Sequence, residues 1–495
     1  MTAPELIRNV VSGIPGLDTV LGGGLCEYSF NLIAGAPGVG KTTLVQQILF
    51  ANATPERPAL YFTVLGEPTI KMIRYQRQFR FFDPSRVPSS VRFVNLTAEA
   101  ASGDFDAILA RVVSEVSRTK PAFVAIDSFR TIVNDRPSPG SDSVAELARF
   151  VQRLAQQLAS WEITSFLIGE YSEAERLHPV FTVADSILWL SEDVDRNSAA
   201  RKLRVVKIRG RSQMPGLHTV RITDLGMEVF PRIPEQQQQR VERARTRLAT
   251  GVPGLDEMTG GGIPSGDVVL ITGPAGTGKT TFATQFVAQG LRDGGSCVVA
   301  VFEEYPETYL ARAKTHDVDF DEMVKNGRLA ITYLRPLDLS VDEMLNAIRS
   351  EVEAVGASRV VIDSLSGFEV ALAPTYREDF RESLYRLVGA LTATGVTVVM
   401  TAEVIDVFPD FRFTTERVSF ITDDIIVQRY VEIDGHLQKV VAVVKMRGSK
   451  HSTDFRTYDL TSEGASIGKS LIGYHGITTG VPKFVGTDPE TDLSG

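Results

Sequence analysis

The feature that most constrains this chain is a stretch that it contains twice. "SGIPGLDTVLGGGLCEYSFNLIAGAPGVGKTT" begins at Ser12 and "TGVPGLDEMTGGGIPSGDVVLITGPAGTGKTT" at Thr250, a shift of 238 positions that holds without a gap to Lys41 and Lys279. Later landmarks keep the spacing to within two residues. "FVAIDSF" with Asp127 answers "VVIDSLS" with Asp363, and "VVKIRG" with Lys207 answers "VVKMRG" with Lys445. Whatever one copy folds into, the other must fold into as well. A period this long is a duplicated domain, not a solenoid unit of about 20–50 residues.

Within each copy, short β-branched runs such as "VVLIT", "CVVAVF" and "GVTVVMTA" alternate with stretches of helical period such as "TTFATQFVAQGL". Unbroken apolar strands are buried on both faces, so the pattern predicts an α/β fold with a mainly parallel sheet flanked by helices. The 495 residues, 43% of them apolar, suffice for two such cores. The polar run "PEQQQQRVERARTR" reads as a solvated connector. The resulting division is a first domain at 1–234, a linker at 235–248, a second domain at 249–464 and a flexible tail at 465–495.

"GAPGVGKT" and "GPAGTGKT" both fit the phosphate-loop pattern, and each lies between an apolar strand and a helical segment, which is the context the motif requires. Gly35, Gly38 and Gly40, and Gly273, Gly276 and Gly278, let the backbone curl until its N–H groups converge on phosphate oxygens. The helix beginning at Lys41-Thr42-Thr43 or Lys279-Thr280-Thr281 adds a favourable dipole. Lys41 and Lys279 would reach the β- and γ-phosphates of ATP, and Thr42 and Thr280 would offer a hydroxyl to Mg²⁺. Asp127 and Asp363 end buried strands, where an unpaired carboxylate is costly. They are the expected second metal element. Ser128 and Ser364, which follow them, either hydrogen-bond at the same site or cap the turn.

Composition narrows the remaining classes. A net charge of −9 argues against a large sequence-independent nucleic-acid surface. "RYQRQFRFF" at 74–82 mixes charge with aromatics and reads as a surface helix and loop, with a nucleic-acid strip as the alternative. Cys26 and Cys297 form no metal-ligand pattern and read as buried or incidental thiols. No apolar run reaches the ~18 residues of a membrane span, and the start of the chain lacks the pattern of a signal peptide. A soluble, cytoplasmic protein is expected.

These motifs together resemble the KaiC family, a branch of the RecA/DnaB-type ATPases. The resemblance rests on the opening "GxPGLD…GGG", the paired phosphate loops, "FEEYP", the "K-[IM]-R-G" motifs, "RITDLGMEVFP" and "ITDDIIVQRYVEIDG". It implies two tandem RecA-like domains in a double-ring homohexamer, with ATP between neighbouring subunits. Lys207 and Arg209, then Lys445 and Arg447, would reach the nucleotide held by the next subunit, and Thr223 and Asp224 would touch nucleotide too. Glu303 would be the principal catalytic base and a metal-site acid, with Glu304 supporting it.

At the equivalent place the first copy has Leu65 and Gly66, with Glu67 one step late. The first domain is therefore expected to bind ATP but hydrolyse it slowly. The family also phosphorylates itself on hydroxyls just before "ITD". Here Ser419 and Thr414 match those positions, whereas Phe420 stands where the family has a second adjacent hydroxyl. The tail does not match the one that meets KaiA, which speaks against a KaiA-type partner and leaves a KaiB-like one open. The leading reading is an autophosphorylating hexameric ATPase in signalling or timing. A nucleic-acid motor and a nucleotide-gated scaffold are the rivals.

Overall fold

A computed structural model of the chain describes residues 8–64, 69–101, 104–129, 141–172, 179–195, 198–232, 246–334, 339–372, 380–404, 421–477 and 482–485. It divides into two compact units, Met1–Arg232 and Ile233–Gly495.

The first unit is built on β1 (Phe30–Gly35), α1 (Lys41–Asn52), β2 (Ala59–Thr63), β3 (Val91–Asn95), α2 (Phe105–Thr119), β4 (Phe123–Asp127), α3 (Ser141–Ser160), β5 (Thr164–Glu170), β6 (Ser186–Asp195), β7 (Ser198–Ile208), β8 (His218–Thr223) and β9 (Gly226–Phe230). Its nine strands form one sheet in the order β3-β2-β4-β5-β1-β6-β7-β8-β9. The first six are parallel, and β6 to β9 form an antiparallel meander. Alternation sorts the strand residues into two cores. Ile33, Tyr61, Ala125, Ile168 and Leu188 pack with Leu44, Val45 and Ile48 of α1. Leu32, Leu60, Val124 and Leu167 pack on the other face with Val112 of α2 and Leu154 of α3. Both faces of the parallel strands are thus covered, as the apolar runs predict.

The second unit repeats this plan. It comprises β10 (Val268–Gly273), α4 (Lys279–Arg292), β11 (Cys297–Val301), α5 (Pro306–Ala313), β12 (Leu329–Tyr333), α6 (Val341–Val355), β13 (Arg359–Asp363), α7 (Leu365–Ala371), α8 (Phe380–Ala393), β14 (Thr397–Glu403), β15 (Asp424–Ile433), β16 (His436–Met446), β17 (Arg456–Thr461) and β18 (Gly464–Ser470). The order β12-β11-β13-β14-β10-β15-β16-β17-β18 matches the first sheet strand for strand. Ordered structure continues past residue 464, where the sequence reading ended this domain. Gly464–Ser470 pairs with Arg456–Thr461, and Tyr474–His475 pairs with Lys483–Phe484. Hydrogen bonding along these pairs outweighs the Pro, Gly and Asp content that suggested a loose tail.

One buried glutamine in each unit fixes the phosphate-loop helix to the far hairpin. Gln47 of α1 accepts from the Met227 N–H at 2.7 Å and donates to the Met227 carbonyl at 3.2 Å. Gln285 of α4 does the same with Ala465, at 2.8 and 3.1 Å. The amide completes the edge of the strand as another backbone would. We expect Gln285→Leu to leave the buried Ala465 N–H and C=O without partners and to cost the second unit about 1–3 kcal/mol. Chemical denaturation followed by a probe in that unit measures the loss.

Candidate functional site

Strand order decides which side chains meet. In the first unit β5 lies between β4 and β1, and register pairs Thr63 with Asp127, Asp127 with Ile168, and Gly35 with Glu170. The phosphate loop and these strand ends therefore share the C-terminal edge of the parallel sheet, where α/β folds bind ligands.

The helix that follows each loop begins on a glycine. Gly40 and Gly278 stand at its N-cap with φ of 102° and 93°, in the left-handed region that favours glycine, and no side chain caps either helix. By contrast, Asp104 caps α2 and a Ser340–Glu343 capping box closes α6. An uncapped first turn leaves N–H groups aimed outward, which is a ready anion site. Space enforces the glycine as well: a Cβ on Gly40 would sit 2.5 Å from Ile222 Cδ1.

Within this cradle Lys41 is nearly buried and donates to the Ala36 carbonyl at 2.7 Å. Burial lowers its pKa, and Glu170 and then Asp127 oppose that shift. Lys279 donates to the Gly273 and Pro274 carbonyls at 2.9 and 2.8 Å. Its pKa is likewise lowered by burial, against the charges of Glu403, Asp363 and Glu303. Glu170 and Glu403 were not singled out from the sequence. They end equivalent strands, β5 and β14, and only strand order brings them to the loop.

The two strand-end aspartates are held differently. Asp127 accepts hydrogen bonds from Thr42 at 2.7 Å and from Tyr61 at 2.6 Å. Burial raises its pKa, and the two donors work against that. Asp363 instead accepts from Thr401 of β14. The peptide bonds Asp127–Ser128 and Asp363–Ser364 are both cis. Thr42 with Asp127, and Thr280 with Asp363, supply hard oxygen donors of the kind Mg²⁺ takes. Among the described residues no group of three His, Cys, Asp or Glu side chains could hold a metal unaided. Phosphate oxygens and water would have to complete the shell, as is usual for Mg²⁺.

The acidic pair of the second unit divides its contacts. Glu303 accepts from Ser364 Oγ at 2.7 Å, above the end of β13. Ser364 also accepts from the Gly367 N–H, so it fills both roles the sequence left open. Glu304 is drawn aside into an ion pair with Arg312 at 2.6 Å, and its pKa is raised by burial against that pairing. The corresponding Leu65, Gly66 and Glu67 lie outside the described residues, as do Thr414 and Ser419.

Lys207 and Arg209 do not join the phosphate loop of the first unit, nor Lys445 and Arg447 that of the second. Lys207 is paired in register with Ile187, at the start of β6. That is the N-terminal edge of the sheet, opposite the loop. Lys207 donates to the Thr182 carbonyl at 3.2 Å, and Arg209 pairs with Asp185 at 3.0 Å. Lys445 likewise donates to the Thr422 carbonyl, and Arg447 reaches Asp423 at 3.3 Å. Asp185 and Asp423 also accept from the first N–H of β1 and β10, at 3.0 and 3.2 Å. Their 238-residue separation was a signal that the sequence reading passed over. A cleft of about 620 Å³, lined by Tyr28, Asp185 and Arg209 among others, opens at this edge of the first unit. Thr223 and Asp224 are different. They turn from β8 into β9 at the loop end, next to Ile222, and Asp224 pairs with Arg80 at 3.2 Å.

The segment 74–82 does not present a free aromatic strip. Phe82 is buried and packs on Phe50 of α1 with ring centroids 4.5 Å apart, while Phe81 lies against the same core. Among the described residues no helix is long and apolar enough to cross a membrane. Both thiols are free. Cys297 is buried, with its pKa pushed up to about 12 by desolvation.

The family model described as "ATPase: KaiC" matches residues 10–233 and again 248–472. The chain is 28% identical over 490 residues to the circadian clock oscillator protein KaiC of Parathermosynechococcus lividus, covering 98% of this chain and 90% of that one. It is 28% identical over 508 residues to the protein of the same name from Synechococcus elongatus, covering 100% and 96%. A third relative, from Thermostichus vulcanus, is 28% identical over 499 residues, covering 99% and 94%.

One acid near the lysine–arginine edge has no counterpart in the first unit. Asp424 stands where the first copy has Ser186 and accepts from the Arg447 N–H at 3.4 Å. Burial first, then the charges of Asp267 and Asp423, raise its pKa from 3.8 to about 7, against the pull of Arg247. Between those values the folded state holds a proton that the unfolded chain has lost. Stability of the second unit should therefore fall as pH rises from about 4 to about 7 and then level off. Asp424→Asn should flatten that slope in denaturation curves taken across the range.

Proposed function

Because this chain belongs to the KaiC ATPase family, we propose that its second unit carries the main ATP hydrolysis and also phosphorylates the chain itself. Copies of the chain assemble around bound nucleotide into a double-ring hexamer that serves signalling or timing. The observation that carries the assembly is the position of the lysine–arginine pairs. They lie at one end of the sheet and the phosphate loop at the other, separated by the six residues of β1, or about 20 Å. Cations so far from their own loop serve a nucleotide only when another copy presents its loop to them.

In the second unit the roles follow from the contacts. The uncapped turn at Lys279 and the lysine itself hold the phosphates. Glu303, steadied by Ser364 and in no ion pair with the described residues, orients the attacking water or takes the proton from an attacking hydroxyl. Glu304, tied to Arg312, supports the local field. Lys445 and Arg447 of a neighbouring copy stabilise charge on the transferring group. Thr280 and Asp363, with Glu303 nearby, would hold Mg²⁺, which would neutralise phosphate charge. In the first unit Thr42 and Asp127 are the corresponding donors, and binding without rapid turnover suits a ring whose task is assembly.

Turnover separates the two units. Glu303→Gln should lower ATPase activity about 10²–10⁴-fold, and Lys279→Ala should remove most of it. Lys41→Ala should impair assembly more than chemistry, as read by native mass spectrometry. If most activity survives both Glu303→Gln and Lys279→Ala, the division of labour is overturned.

Phosphosite mapping after incubation with ATP tests the kinase activity. Label is expected within residues 414–422, with Ser419 first and Thr414 next. Label on none of them would leave an ATPase without kinase activity.

A further inference from the structure

The two phosphate loops match in sequence pattern, yet they are held by different chemistry. In the second unit the buried Tyr458 hydroxyl of β17 donates to the Thr277 carbonyl at 2.6 Å. Tyr430 of β15 donates to the Ala275 carbonyl at 3.4 Å. Thr277 Oγ1 closes the loop on the Pro274 carbonyl at 2.9 Å. Positions 238 residues earlier carry Val220, Glu192 and Val39. Val220 and Val39 have no hydroxyl and lie in the apolar core, and Glu192 pairs with Arg201 at 2.9 Å.

The direction of the peptide groups gives this difference a consequence. In a trans peptide the carbonyl and the following N–H point in opposite directions. Pinning the Thr277 carbonyl toward β17 turns the Gly278 N–H away from the sheet, to the side where the uncapped helix start offers its own N–H groups. Leu460 also closes this position to a larger residue, since a Cβ on Gly278 would lie 2.8 Å from it.

The geometry points to Tyr458 as a positioning residue that preorganises the second phosphate loop, with Tyr430 as a weaker second tether and no equivalent in the first loop. The inference rests on the phosphate-loop reading of Gly273–Thr280. A loop already in its binding form loses less freedom when phosphate arrives. The second site should therefore hold the diphosphate of a nucleotide more tightly than it would without the hydroxyl.

Two measurements test it. In the full chain carrying Lys41→Ala, so that only the second loop loads, Tyr458→Phe should weaken MgADP binding about three- to tenfold. In the otherwise unaltered chain, Tyr458→Phe should speed amide hydrogen exchange in the peptide spanning 273–281 and leave 35–43 unchanged. Tyr430→Phe should shift both readouts the same way by less. Unchanged affinity and unchanged exchange at 273–281 would overturn the proposal. So would equal acceleration at both loops, which marks general destabilisation. A chain that binds no MgADP would overturn the phosphate-loop reading instead, and the exchange comparison would still decide the role of Tyr458.

Discussion

The structure depends on the helix starts at Lys41 and Lys279, which no side chain among the described residues caps. A helix leaves its first N–H groups without backbone partners, and proteins usually answer with a side chain. This chain does so at Asp104 and Ser340 and declines to do so at Lys41 and Lys279. The left-handed glycines before the two lysines replace a cap with an open turn. Everything close by accommodates that choice. The lysine folds back onto the loop's own carbonyls, the neighbouring strands end in acids, and a buried glutamine ties each helix to the last hairpin.

The accommodation is made twice, but not in the same way. Tyr61 and Thr42 hold Asp127 in the first unit, while Thr401 holds Asp363 from the opposite neighbouring strand in the second. Two tyrosines and a threonine stiffen the second loop where the first has valines and a glutamate engaged elsewhere. The second unit also carries Glu303 in contact with Ser364. Chemistry has accumulated around the second loop, whereas the first keeps the phosphate cradle and its aspartate. Duplication preserved the fold and let the contacts of the two sites diverge.

The sheet separates two sets of charges that sequence spacing cannot tell apart. Lys207 and Arg209 follow the phosphate loop in the chain just as Asp127 and Glu170 do. Antiparallel pairing of β7 with β6 sends the cations to the N-terminal edge, while parallel pairing brings the acids to the C-terminal one. A single chain thus presents a loop at one end and a lysine–arginine pair at the other. That polarity suits the head-to-tail contacts of the proposed ring.

Much of this was legible in the sequence because it is local. The loops, the strand–helix alternation, the strand-end aspartates and the duplication are carried by short contiguous patterns and one fixed offset. The sequence also determined that Glu303 and Glu304 have no counterpart at Leu65 and Gly66, since an alignment suffices to see it. What only the tertiary structure decided was which distant residues share an edge or a face. Glu170, Glu403, Thr401, Gln285 and Tyr458 reach the loops from strands or helices far along the chain, and no spacing rule marks them. The aromatic run at 74–82 reads as a surface helix and loop with base stacking as the alternative, and only packing places Phe82 against Phe50. Local pattern fixes backbone conformation through steric and hydrogen-bonding preferences that act over a few residues. The contacts that give each loop its character arise from strand order, which is set by burial of whole faces and is not written at any one position.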